Sequence, residues 1–134
     1  MAKKQDYTYA VGRRKSSSAR VRVFRGKGEN TVNSKPANTY FEGATSAKLL
    51  AKPFGVTETS DKYYFSARVV GGGKVGQLEA VILGIARALA KLSPDKSKVS
   101  LRKASLLTRD SRQRQRRMVG TGGKARRKKQ SPKR

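Results

Sequence analysis

The sequence predicts an α+β fold, a single sheet with helices packed on one face, followed by an extended basic tail. Three observations predict it. Short β-branched and aromatic runs alternate with period two, later stretches carry apolar residues at helical spacing, and the composition changes abruptly near residue 108. A chain of 134 residues holds one small domain with appendages rather than two cores. The expected division is therefore a globular domain over 1–108 and a tail over 109–134.

The elements follow in order. "YTYAV" (Tyr7–Val11) is β-branched and aromatic and reads as a strand. "ARVRVF" (Ala19–Phe24) alternates, with Ala19, Val21 and Val23 on one face and Arg20 and Arg22 on the other. That second face reads equally as a solvated surface or as an RNA contact. "GKGENTVN" supplies a Gly-rich turn and a short strand around Thr31–Asn33. "ATSAKLLAKPF" reads as a helix capped by Thr45 or Ser46 and stopped by Pro53. "DKYYFSARVV" is a strand with Tyr63, Phe65, Ala67 and Val69 on one face. Leu78, Val81, Ile82, Ile85, Leu89 and Leu92 make one apolar stripe on a long helix. "SPDKSKVSLRKASLL" opens a further helix with Ser93 as N-cap and Pro94 at its first position.

Charge bounds the function. The chain has 33 Lys+Arg against 8 Asp+Glu, a net charge of +25. Self-repulsion of that size opposes compaction unless a polyanion neutralises it. Nucleic acid fits best, since each neutralised phosphate releases condensed counterions; an anionic membrane surface is the weaker competitor. There is no Cys and no His, which removes disulfides, thiolate metal sites and the usual proton shuttles and nucleophile–base pairs. The eight acids are scattered, with no D-x-D or E-x-x-E pair to hold a metal. The expectation is a non-enzyme without cofactor, metal or small-molecule substrate. Lys3 and Lys4 are not followed by an apolar segment, and Glu79 and Arg87 interrupt the longest apolar stretch. The chain reads as soluble and intracellular.

Gly71, Gly73 and Gly76 match the dinucleotide-binding spacing G-x-G-x-x-G between a strand and a helix. The match lacks its supports. Gln77 and Leu78 stand where a phosphate-loop NTPase needs Lys-Ser/Thr, and Asp95 lies at a helix start rather than a strand end. Two readings of the glycines remain. They allow positive φ and close helix–sheet approach, or their bare N–H groups, with Lys74 beside them, receive a phosphate of a nucleic-acid backbone.

Two basic motifs carry recognition. "GRRKSSSARVRV" sets Arg13, Arg14 and Lys15 at a hairpin tip. Residues 109–134 hold twelve Lys/Arg and one acid, +11 of the total, with Met118 and Val119 the only large apolar residues. Such a segment cannot offset its chain entropy by burial and is expected to be extended until bound. It can thread between RNA helices where a folded surface cannot, laying Arg109, Arg112, Arg114, Arg116, Arg117, Lys124, Arg126, Arg127, Lys128 and Lys129 against phosphates. A free nucleic-acid chaperone or DNA-compacting protein shares this charge and is the alternative reading.

The stretches "GRRKSSSARVRV", "TVNSKPANTYF", "GGGKVGQLEAVILGIARAL", "LRKASLLTRD" and "KARRKKQSPKR" span nearly the whole chain. In this order they resemble the family of the ninth protein of the small ribosomal subunit, in its bacterial form. The resemblance implies a two-layer sandwich with a core of three strands, helix, strand and helix, including one left-handed crossover against the usual rule. It implies a cytoplasmic ribosomal protein whose domain sits on ribosomal RNA in the small-subunit head, beside neighbouring ribosomal proteins. It also implies that the tail reaches the anticodon stem-loop of P-site tRNA, with Lys133 and Arg134 in contact. The chain departs from the family pattern in three places. Ser131 and Pro132 stand where an aromatic and Ser are usual, Ile82 and Leu83 replace an Arg-His pair, and Gln115 replaces a Glu. Leu83, off the main stripe, either faces a neighbouring protein or widens the core.

Overall fold

The computed structural model describes residues 6–123. Strands β1 (Tyr7–Arg14) and β2 (Ser17–Arg25) form a hairpin closed by Lys15 and Ser16, with Lys15 in the left-handed region at φ 52°. β2 pairs antiparallel with β5 (Tyr63–Val70). β5 in turn pairs parallel with β3 (Thr31–Val32), which turns back into β4 (Lys35–Pro36). The sheet order is β1-β2-β5-β3-β4. The parallel neighbours β3 and β5 are joined through α1 (Ala37–Tyr40) and α2 (Ala44–Val56); α3 (Lys74–Leu92) and α4 (Ser97–Lys103) follow.

The short strand expected around Thr31–Asn33 ends at Val32. Asn33 and Ser34, at φ 49° and 67°, instead form a two-residue turn of the mirror-image kind that suits a hairpin. Two asparagines make up for the short ladder. Asn30 Oδ1 accepts the Phe65 N–H at 3.1 Å, and Asn33 both accepts from the Val69 N–H and donates to the Val69 carbonyl.

Three expected helix boundaries move. α2 starts after Gly43, at φ 100°, rather than at Thr45 or Ser46, and it runs through Pro53 to Val56. Pro53 removes one intrahelical donor, but it is buried beside Phe54, whose ring lies 6.1 Å from that of Phe65. Packing therefore outweighs the lost bond. The helix closes beyond the proline, where Thr59 N–H donates to the Phe54 carbonyl and Glu58 N–H to Gly55. Ser93 does not open the last helix. It caps the end of α3, its N–H donating to Leu89, and its carbonyl accepts the Ser97 N–H in a single turn before α4 begins.

The apolar stripe on α3 is core, as its spacing implied. Leu78, Val81, Ile85 and Leu89 are buried, while Ile82 and Leu92 pack at its margin. Burial spreads further, to Ala80, Leu83, Gly84, Ala86 and Ala88, because α3 packs against the sheet and against both α2 and α4. Leu83 is buried too, but outside the core cluster, lining a recess beside the tail root with Ile82, Leu106 and Asp110. Full burial of each Ile or Leu contributes about 1.5–3 kcal/mol. The closest approach of helix and sheet is at Gly12, where a side chain would collide with the Ala80 carbonyl oxygen, and Gly84, where one would come within 2.5 Å of Val21. α3 also covers the open edge of β1. Arg87 donates to the Val11 carbonyl and Lys91 to the Tyr9 carbonyl, each at 2.8 Å, occupying groups that would otherwise template another strand.

Candidate nucleic-acid interface

The glycine turn is filled by the protein itself. Gly71 and Gly72 have φ of 78° and 66°. A side chain at Gly71 would stand 2.6 Å from the Ser16 carbonyl oxygen, and one at Gly72 would collide with Ser17 Oγ. The β1–β2 hairpin tip therefore packs directly against Gly71, Gly72 and Gly76, while the space at Gly73 stays open. Gly71 is also a hub of hydrogen bonds, its carbonyl accepting from Ser17 Oγ and Gln77 Nε2 at 3.0 Å each. Gln77 Oε1 in turn accepts from the Tyr40 hydroxyl at 2.7 Å. Lys74 is exposed, with its ammonium 3.7 Å from the centroid of the Tyr40 ring and donating to the Tyr40 carbonyl. The steric reading of the glycines is the one their surroundings support.

The hairpin tip and the start of the tail form one unit. Just past α4, Ser105 has a left-handed φ of 60° that turns the chain back, with Leu106 N–H donating to the Leu101 carbonyl. Residues 109–112 then lie beside the tip. Arg14 points inward, unlike its neighbours Arg13 and Lys15, and its side chain is only 11% exposed. Its Nε donates to Glu79 on α3 at 2.5 Å and one terminal nitrogen donates to the Arg112 carbonyl at 2.7 Å. The other terminal nitrogen lies 3.5 Å from Asp110. Asp110 is gripped by Arg112 through both guanidinium and backbone N–H. Those hydrogen bonds, led by the guanidinium, hold its carboxyl well below the ordinary range, and the same partnership raises Arg112. Arg109 donates to the Lys15 carbonyl at 3.4 Å. Arg14 thus serves as a clasp, while Arg13, Lys15 and Arg112 stay at the surface with Arg114, Arg116 and Arg117. Lys124, Arg126, Arg127, Lys128, Lys129, Lys133 and Arg134 lie outside the described residues.

The sheet adds a second basic surface. Arg20 and Arg22 are exposed on the face opposite the helices, as the alternation implied. Arg68, which the sequence reading did not single out, stands directly across from Arg20. The same alternation that put Phe65, Ala67 and Val69 inside required Tyr64, Ser66 and Arg68 outside, so the signal was present.

Among the described residues no helix is long and apolar enough to cross a membrane. The fold and its surface define a class: a small α+β domain presenting arginines from a hairpin, an open sheet face and a tethered tail. The model of the family described as Ribosomal protein S9/S16 matches residues 12–134. The chain is 42% identical over 119 residues to the small ribosomal subunit protein uS9 of Maridesulfovibrio salexigens, covering 89% of this chain and 91% of that one. It is 43% identical over 116 residues to the protein of the same name from Sorangium cellulosum, with 87% and 88% covered. The one from Rickettsia africae is 46% identical over 126 residues, with 94% and 78% covered. The chain belongs to the ribosomal protein S9/S16 family, with bacterial relatives, and its role is structural and ribosomal rather than enzymatic.

Proposed function

We propose that this protein is a cytoplasmic structural constituent of the small ribosomal subunit, with its domain seated on small-subunit RNA in the head. Arg13, Lys15, Arg20, Arg22 and Lys74 supply phosphate contacts from the domain; Arg109 and Arg112 supply them from the tail root. Arg114, Arg116 and Arg117 continue the basic path toward Lys124 and the cluster Arg126–Lys129. Lys133 and Arg134 meet the anticodon stem-loop of P-site tRNA. The observation that carries this reading is the Arg14 clasp. It fixes the tail root against the basic hairpin tip, so that domain and tail leave one surface together. A tail whose only task was loose charge neutralisation would need no such anchor.

Two measurements test it. Co-sedimentation with small subunits in high salt is expected, whereas a free nucleic-acid chaperone or DNA-compacting protein would be stripped off. Truncation of residues 124–134 should leave incorporation intact while weakening or relaxing P-site tRNA binding. Unchanged tRNA binding and decoding would remove the tail's assigned role.

A further inference from the structure

The sheet has two faces, and the helices cover one. On the other, β1, β2 and β5 align side chains in rows: Tyr7, Phe24 and Tyr64; then Tyr9, Arg22 and Ser66; then Val11, Arg20 and Arg68. The aromatic row is continuous, with ring centroids 5.7 Å apart for Tyr7 and Phe24 and 5.2 Å for Phe24 and Tyr64. Arg22 lies over the Tyr7 ring, 5.0 Å from its centroid. Tyr7 and Tyr9 remain 46% and 42% exposed.

We propose that this open face binds unpaired nucleotides of RNA, their bases stacking on Tyr7 and Tyr9 and their phosphates received by Arg20, Arg22 and Arg68. The inference rests on the RNA-binding reading above and deepens it, giving the face that carries Arg20 and Arg22 a base-stacking role. Three observations select this occupant. The three long strands contain no acid, so the face is cationic without internal compensation. Arg20 and Arg68 are directly opposed across the ladder, an arrangement that disfavours the isolated sheet and is relieved by an anion between them. Exposed rings interleave with these cations. A duplex offers such rings little, because its bases are stacked and its outer surface is phosphate and ribose; unpaired bases stack on aromatic side chains and arginine planes.

The test uses the full-length protein and a labelled single-stranded RNA of mixed sequence, with a duplex of equal length for comparison. The tail binds both forms, so the ratio of the two affinities is the readout. The Y7L/Y9L variant, checked for a wild-type melting temperature, should weaken single-strand binding roughly tenfold and leave duplex binding and the salt slope unchanged. If that variant melts early, Y9S alone should still shift the ratio in the same direction. The R20Q/R68Q variant should flatten the salt dependence by about one to two contacts. An unchanged ratio in the aromatic variants overturns the proposal, including where the arginine variant alone acts, since the face would then read backbone only. It is equally overturned if neither pair alters RNA binding, the face then being solvated or covered by protein. In both cases continued co-sedimentation of the variants leaves the ribosomal reading standing, whereas failure of the wild type to co-sediment overturns that reading instead.

Discussion

Arg14 at the end of β1 and Glu79 on α3 lie 2.5 Å apart, and the same guanidinium reaches the Arg112 carbonyl and the Asp110 carboxylate. One side chain thereby joins strand, helix and tail root, reaching partners 65 and 98 residues further along the chain. An arginine suits the place because its planar fork serves three acceptors at once, which a lysine ammonium on a flexible stem does less well.

Arg14→Met should therefore cost about 2 kcal/mol in urea unfolding. That is below the usual penalty for breaking a buried pair, because Glu79 is half-exposed and keeps some water. Arg14→Lys should recover less than half of the loss. A double-mutant cycle with Glu79→Gln should return a coupling of about 1 kcal/mol. Trypsin should cut faster after Arg109 and Arg112 in the Arg14 variants; wild-type cleavage rates would show that the root is held by something else.

Asp110 sets the pH range over which the root stays docked. Its folded pKa is depressed, first by the Arg112 guanidinium and then by the Arg112 N–H, with the charge of Arg14 adding to them. The unfolded chain, with an ordinary value near 3.8, binds the proton more readily than the folded one. The stabilisation is thus fully present above about that pH and is lost as pH falls through the lower folded value. An NMR titration of the Asp110 carboxyl carbon should find it still ionised at pH 3.8, with no change in the tail root between neutrality and that point. A midpoint near the ordinary value would mean that the Arg112 contacts do not persist in solution. Asp110→Asn should remove the acid-range dependence.

Much of the fold was legible because alternation and helical spacing report burial directly. Ala19, Val21 and Val23, then Phe65, Ala67 and Val69, and the α3 stripe all point where their periods require. The misplaced boundaries share one cause: tertiary contacts overrode local signals. Pro53 stays inside α2 because its burial offsets a missing donor, and the short β3 holds to β5 because Asn30 and Asn33 extend a two-residue ladder. The inward turn of Arg14 was not legible, since a basic tip in sequence looks the same whether its arginines face water or a carboxylate. Likewise, the sequence left the glycines open between close packing and an RNA phosphate, and only the position of Ser16 and Ser17 against Gly71 and Gly72 favours packing.

Two helix ends carry avoidable strain. Glu58 and Ser105 occupy the left-handed position just past α2 and α4, at φ 57° and 60°, where glycine is the usual residue. Both are exposed. Glu58→Gly should raise stability by roughly 0.5–1 kcal/mol, the relief of backbone strain exceeding the added freedom of the unfolded chain. Ser105→Gly should do the same while keeping the turn that delivers the tail root to the hairpin tip. Thermal unfolding measures both, and a loss of stability in either variant would place the residue in a conformation other than left-handed.

Gly12 tests how closely α3 lies on β1. A methyl group there would meet the Ala80 carbonyl oxygen and come within 2.5 Å of the Gly84 nitrogen, and both obstacles are backbone of a buried helix. No rotamer can relieve the clash, so α3 must lift from the sheet. Gly12→Ala should cost about 2–3 kcal/mol, at the upper end for overpacking. Gly55→Ala has open space around its added methyl and lies within a helix, where alanine is favoured; it should be neutral or stabilising. The lift would also pull Glu79 away from Arg14, so Gly12→Ala should loosen the tail root as a secondary effect, read as faster trypsin cleavage after Arg112. Equal stability of the two variants would mean that helix and sheet stand further apart than the Gly12–Gly84 approach requires.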